Sequence, residues 1–464
     1  MNIDFCGEAY VSRDTNQETI NLYPEINTKK KVEVLVNTPG MDKVASISLN
    51  PVRGLHIVSK NESFLYGVFG NEFYSIDVGY YAKKLGTLQS SEGLVDIKDN
   101  GSQIIIVDGL NIGYLYTISS GEFVQINGGD SAAFIDGYFI VNENNSQVVR
   151  SSGLYDGKTW NALDRASAEG DPDNIVRVSS KRTELWLHGT LSTEIWYDAG
   201  IQVGFPFQRM AGAVIEFGLS AKWSLVHAST SHYQLARTDK GERIFIEVSN
   251  YNPTIISHPG INYEIGKLEN ISDAESFAYT QEGHTFYVTT FPSGDITFVY
   301  DISTGRWHRR QSYGMGRWQA RCYAFFQGKH IVGSFKNGNL YSLSMDTYSE
   351  DSEPLVKVRT ARELIDYKED YKNIFVNEIQ LDMQLGLGND KVEDPVAVMQ
   401  TSRDNGKTWG PEHIQPLMKS GKFRSRIMWH RWGKARRRLF KLIIADPVKV
   451  VIRGAWIDAQ KGIN

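Results

Sequence analysis

The sequence has almost no cysteine. Two thiols, Cys6 and Cys322, in 464 residues cannot form the staple framework of a small secreted domain, so the fold has to rest on buried apolar surface, which a chain of this length can supply. Their wide separation fits two independent free thiols made in a reducing cytoplasm, with one long-range bridge as the alternative. Long apolar runs are missing as well. No stretch approaches the roughly 18 apolar residues of a membrane-spanning helix, and residues 1–30, which hold Asp4, Glu8, Arg13, Asp14 and Glu18, lack the apolar centre of a signal peptide. The expectation is a soluble protein without a membrane anchor. Nor is there a surplus of positive charge: 50 Lys and Arg against 54 Asp and Glu leave a formal net charge of −4. That is unlike a nucleic-acid coat, and any contact with a polyanion has to be local. The familiar catalytic templates are absent too: there is no Gly-x-Ser-x-Gly elbow, phosphate loop, His-Glu-x-x-His or Cys-x-x-Cys. The ten histidines are scattered, and His284, His308 and His330 have no ligand spacing. No catalytic residue, metal or cofactor is predicted.

What is present points to strands. Glycine is plentiful at 42 and aromatics reach 12%, and short runs of Val, Ile, Tyr and Phe recur between clusters of Gly, Asn, Asp and Ser. Residues 51–350 divide into seven stretches beginning near Pro51, Ser91, Asp130, Asn174, Gly218, Glu269 and Arg317, each of a length that suits one four-stranded propeller blade. Within them, Leu185-Trp186-Leu187 precedes Ile195-Trp196-Tyr197-Asp198, and Phe286-Tyr287-Val288 precedes Phe298-Val299-Tyr300-Asp301. The predicted fold class is all-β, a seven-bladed β-propeller followed by a β-sandwich-like domain. Stacked sandwiches are the alternative, because no tight signature such as a repeated Trp-Asp is present.

Three regions follow from this reading: an N-terminal arm over 1–50, the propeller over 51–350, and the sandwich-like domain over 351–464. The arm contains the solvated Lys29-Lys30-Lys31 and a turn at Asn37-Thr38-Pro39-Gly40, and it is placed to supply the propeller's closing strand. The polar, acidic stretch Tyr348 to Pro354 reads as a linker. Beyond it, Ile379, Leu381, Met383, Leu385 and Leu387 alternate with Gln380, Asp382, Gln384 and two glycines, the period of a strand with one buried face.

The sharpest local motif is Ser402-Arg403-Asp404-Asn405-Gly406-Lys407-Thr408-Trp409, an Asp-box pattern. Ser402, Asp404, Gly406, Thr408 and Trp409 are the parts of a hairpin: Asp404 accepts bonds from nearby amides, Gly406 takes a positive φ, and Trp409 packs back beneath the turn. A weaker echo stands at Asp156-Gly157-Lys158-Thr159-Trp160. In sialidases such boxes cap propeller blades without entering catalysis, so a sialidase-like glycan hydrolase or a non-catalytic glycan-binding propeller is the alternative function. A hydrolase of that kind needs an arginine cluster, a Tyr with a Glu partner, and an acid Asp.

One charge feature stands apart. From His413 to Ala445 there is no Asp or Glu, yet ten basic residues occur, among them Arg424, Arg426, Arg431, Lys434, Arg436, Arg437 and Arg438, interleaved with Trp429 and Trp432. The stretch reads either as a solvated face or as a docking surface where arginine forks meet carboxylates of a neighbouring subunit or phosphates of DNA. Those seven residues are the predicted contact set. Protein is favoured over DNA, since a net-negative chain repels a duplex elsewhere.

With this stretch in view, the chain resembles the tail-hub or packaged-DNA stabilisation proteins of short-tailed bacteriophages. The residues that carry the resemblance are Glu378 to Leu385, the hairpin Thr401 to Gly410, the run Arg426 to Arg438, Phe440-Lys441-Leu442 and Val448 to Asp458. At the other end Asn21-Leu22-Tyr23-Pro24 and Thr38-Pro39-Gly40 carry it. The resemblance implies a non-enzymatic virion protein in the tail, made in the host bacterial cytoplasm. Its implied partners are copies of itself in a ring, taken as a homo-hexamer, the portal adaptor ring, a tailspike or tail fibre, the tail needle or plug, and the double-stranded DNA that passes through the channel.

Overall fold

The computed structural model describes residues 2–3, 5–6, 9, 17–27, 32–58, 61–168, 170, 173–201, 203–238, 240–365, 372–384, 392–417 and 427–462. Arg424, Arg426, Leu385, Leu387 and Lys29-Lys30-Lys31 lie outside the described residues.

Tight turns cut the first three quarters of the chain into short antiparallel strands. At Asp136-Gly137, Glu282-Gly283 and Gln327-Gly328 both central residues have positive φ, the geometry of a two-residue turn whose twist matches the flanking strands. The strands group into seven four-stranded sheets over 52–87, 96–127, 132–167, 175–215, 226–255, 275–309 and 320–344, the last completed by the strand Gly40–Ser46. These are the seven blades. The first strands of blades 1 to 4 pack in succession, as do those of blades 5 to 7, and that of blade 7 lies beside that of blade 1; blades 4 and 5 meet through a shared apolar cluster, so the sheets close into a propeller with the first strands innermost. Middle strands such as Gln103–Val107 are buried throughout, whereas outermost strands such as Ala82–Thr87 are largely exposed. The core fills the spaces between blades: Val68 and Phe73 of blade 1 meet Ile104 and Tyr114 of blade 2, and Trp186 and Ile195 of blade 4 meet Ala236 and Ile246 of blade 5. The single helix among the described residues, Pro259–Gly266, starts on its proline and joins blades 5 and 6.

The sandwich is built from both ends of the chain. One sheet runs Leu22–Asn27, Val32–Asn37, Val451–Lys461, Ile374–Met383, Ile427–Ala435, with Asn2–Ile3 beside Val451–Lys461. The facing layer runs Thr19–Ile20, Lys357–Thr360, Arg437–Ile444, Val396–Ser402, His413–Pro416. Between them lie Phe5, Leu22 and Leu35 from the N-terminal part and Ile379, Trp429, Trp432, Phe440 and Leu442 from the C-terminal part. The predicted architecture of propeller plus sandwich is the one found. Thr19–Ile20 also pairs with Arg306–Arg309, the outer strand of blade 6, so the two bodies share a continuous sheet.

The seam where they meet is polar, buried and well bonded. Arg310, which is fully buried, donates to the Pro39 carbonyl at 2.7 Å, lies 3.6 Å from Glu350, and stacks 3.5 Å from the Trp318 ring centroid. Glu350 also accepts from Ser312 and from the Trp318 indole. Asn21 donates to the carbonyls of Gln311 and Val356 and accepts from the Gln311 amide. Arg359 donates to the Phe5 carbonyl and the Thr19 hydroxyl. Neither Cys6 nor Cys322 is in a disulfide, so none ties the ends together.

Candidate docking site

The Asp-box residues lie in the sandwich, in the turn between Val396–Ser402 and His413–Pro416, not at the edge of a blade. The Asp404 carboxylate accepts from the Thr408 amide at 2.9 Å and hydroxyl at 2.5 Å, while the Gly406 amide donates to Ser402 at 2.8 Å. Those donors, the Thr408 hydroxyl first, pull the Asp404 carboxyl down to about 2. Gly406 has φ +85°, and the Lys441 ammonium sits 3.9 Å above the Trp409 ring. The weaker echo repeats the bonding in blade 3: Asp156 accepts from the Lys158 amide and the Thr159 hydroxyl, and the Trp160 indole donates to the Gly157 carbonyl. The Asp404 turn is bonded within itself, whereas the echo also reaches blade 2, where the Gly157 amide donates to Gln103 at 2.8 Å and Lys158 pairs with Glu122.

The basic residues divide into three groups. Arg431 and Lys434 are exposed on Ile427–Ala435, and Arg436 is exposed at the bend that carries the chain from one sheet to the other. That strand ends its sheet, and such edges are commonly blunted by charge and bulges; Arg431 and Gly433 both have positive φ here, +65° and +68°. Arg437 is held by a two-pronged pair to Glu363, both contacts at 2.8 Å. Arg438 differs from both: it is buried, at 2% exposure, and none of its three guanidinium nitrogens has a hydrogen-bond partner among the described residues. Burial, and to a smaller extent neighbouring Arg403, lower it to about 10.

The tryptophans read as part of an interface belong to the core. Trp429 and Trp432 are both buried, their indoles donate to the carbonyls of His413 and Trp429, and Trp432 packs edge-on against Phe440. The bulge at Arg431 explains the correction. It advances the phase of the strand by one residue, so that residues three apart both face inward.

The propeller's centre shows what its own charges do. Arg177 of blade 4 reaches toward Asp96 of blade 2 at 3.8 Å, and Lys222, entering blade 5, meets Asp130, entering blade 3, at 3.3 Å. Arg321 of blade 7 grips Glu275 of blade 6 with bonds of 2.6 and 3.0 Å. Both Arg177 and Arg321 are thus committed to carboxylates, not gathered around an open anion site. A Tyr–Glu pair exists at Tyr233 and Glu247, 2.9 Å apart, but burial and that carboxylate push the phenol upward, the opposite of an activated nucleophile. Among the described residues no group of three or more His, Cys, Asp or Glu is placed to hold a metal ion, and no helix is long and apolar enough to cross a membrane.

Two family models match the chain. One, described as bacteriophage P22 Gp10, beta-propeller, matches residues 13–348; the other, described as bacteriophage P22 Gp10, beta-sandwich, matches residues 367–460. No curated protein matches.

Proposed function

Because the chain belongs to the bacteriophage P22 Gp10 family and is a structural protein of a phage tail, we propose that it acts as the tail hub. In this reading copies form a ring, as a homo-hexamer, below the portal adaptor; the ring carries tailspikes or fibres and the central plug, retains the packaged DNA, and forms part of the path by which it leaves. The observation that carries the proposal is the joint match of propeller and sandwich, together with the rigid, doubly closed scaffold described above. A propeller locked by inter-blade ion pairs has little internal freedom and many outward loops, which suits a part that holds several partners at once.

In this reading the exposed basic edge of the sandwich docks on a neighbouring protein. Replacing Arg431, Lys434 and Arg436 together by Glu reverses its charge without touching a buried group. Incorporation of the variant into tails is expected to fall about tenfold or more while its circular dichroism stays that of the wild type. Wild-type incorporation would remove the docking role.

A further inference from the structure

Four arginines are buried among the described residues: Arg53, Arg310, Arg359 and Arg438. Three have acceptors, although the Arg310 Nε has none. Arg53 makes five hydrogen bonds of 2.6–2.8 Å to Gly70, Ser90, Glu92 and Gly93, and Arg310 and Arg359 are pinned at the seam as described. A guanidinium taken from water needs such acceptors, because a buried charge without them costs several kcal/mol. Arg438 has the burial without the acceptors.

Its position is set by the strand. On Arg437–Ile444 the alternation points Phe440, Leu442 and Ile444 into the sandwich, and Arg438 shares their face, at the end of the core. Its guanidinium lies 5.9 Å from the Phe440 ring centroid and opposite Leu364 in the ladder. The charged neighbour that acts on it is another cation, Arg403. The carboxylate of Glu363 serves Arg437 instead, accepting from it with both oxygens at 2.8 Å.

We propose that Arg438 is a receptor for a carboxylate presented by an acidic segment of a second protein chain. The proposal rests on the docking reading given above and narrows it to one anchor. A planar guanidinium in a confined apolar site matches a single planar carboxylate in two-pronged geometry. The phosphates of a DNA duplex are met instead by exposed cations along its surface, whereas a recessed guanidinium has to be reached by a single group on a flexible side chain, as a Glu or Asp carboxylate is. Charge complementarity favours a protein partner as well: with the ten basic residues of 413–445 set aside, the rest of the chain holds 40 basic against 54 acidic side chains, so a second copy offers an acidic surface. In this arrangement Arg431, Lys434 and Arg436 guide the approach and Arg438 receives the anchoring side chain.

The test uses the isolated full-length chain. Arg438→Met removes a buried charge that has no counter-ion, so its melting temperature is expected to rise by about 2 °C or more. A fall would show the guanidinium already paired within the subunit and would overturn the proposal. Titration with capped Gly-Glu-Gly is expected to raise the melting temperature of the wild type and to leave Arg438→Met unmoved, with Arg438→Lys in between. No response of the wild type, or an equal response of Arg438→Met, counts against it, and stronger stabilisation by inorganic phosphate would reassign the site to a nucleic-acid backbone. These measurements need no virus particle, so failure of the tail-hub reading, seen as absence of the wild-type chain from tails, is a separate result.

Discussion

The seam between the two bodies and the basic end of the sandwich both bury arginine, and they treat it in opposite ways. At the seam, Arg310 and Arg359 find carbonyls, hydroxyls and Glu350 within their own subunit. At the other end, Arg438 faces an apolar wall and a like charge. The first arrangement makes a subunit that is complete in isolation. The second leaves one bond to be made by something outside it. The difference shows that sequence composition alone does not identify a docking residue; what matters is which cations the fold has already satisfied.

The comparison can be broken most severely from the N-terminal side. Deleting residues 1–46 removes the closing strand of blade 7 and the strands at 19–37 that enter both layers of the sandwich. No cooperative unfolding transition is expected from such a chain in calorimetry. A smaller change sharpens the contrast directly: Arg310→Met strands Glu350 in the seam and is expected to cost about 3–5 kcal/mol by denaturant unfolding, whereas Arg438→Met stabilises. If both substitutions cost the same, the two sites are not opposites.

Acid gives a graded third test, confined to the propeller. His188 and His232 lie between blades 4 and 5, beside Trp186. Burial lowers them to about 3 and 2 respectively, and both ring nitrogens of His232 lack a hydrogen-bond partner. The charged and titratable groups acting on them are Arg177, Lys181 and His227, which oppose protonation further. Because the folded values lie below the unfolded value near 6.5, the unfolded chain binds the extra protons as pH falls. Stability is therefore complete above about 6.5 and declines from there toward pH 3. His232→Phe is expected to flatten that decline in melting temperature between pH 6.5 and 4; an unchanged slope would mean the pair does not contribute. The smallest effect belongs to the two Asp-box turns. Asp404→Ala and Asp156→Ala each remove exposed local bonds, so both should unfold close to the wild type, with protease nicking at the altered turn as the readout.

Much of the fold was legible because its signals are local. The blade starts inferred near Pro51, Asp130 and Asn174 fall just before the first strands of blades 1, 3 and 4, since Gly, Asn and Asp punctuate a chain whose hairpins close within a few residues. The Asp404 turn was readable for the same reason. What the sequence concealed is non-local or depends on phase. Nothing in Thr19, Leu35 or Val36 announces that these residues pair with strands more than 300 positions away. A regular strand puts residues three apart on opposite faces, and it is the bulge at Arg431 that turns both Trp429 and Trp432 inward. Arg438, by contrast, was within reach: its alternation with Phe440, Leu442 and Ile444 already placed it on the buried face, though only the structure shows that no described residue hydrogen-bonds to its guanidinium there.

The strand that completes blade 7 has a consequence for how such a molecule comes into being. Ser46 and Asn339, joined side chain to side chain, are 293 residues apart, so a nascent chain emerging from the ribosome carries an unmated strand until nearly three quarters of it has been translated. Blades 1 to 6 can pair locally as they emerge, but the circle cannot shut during that interval. Shutting it is a late event, and a chain released early would keep an open ring and a sticky first strand, a natural substrate for chaperones and a poor one for assembly.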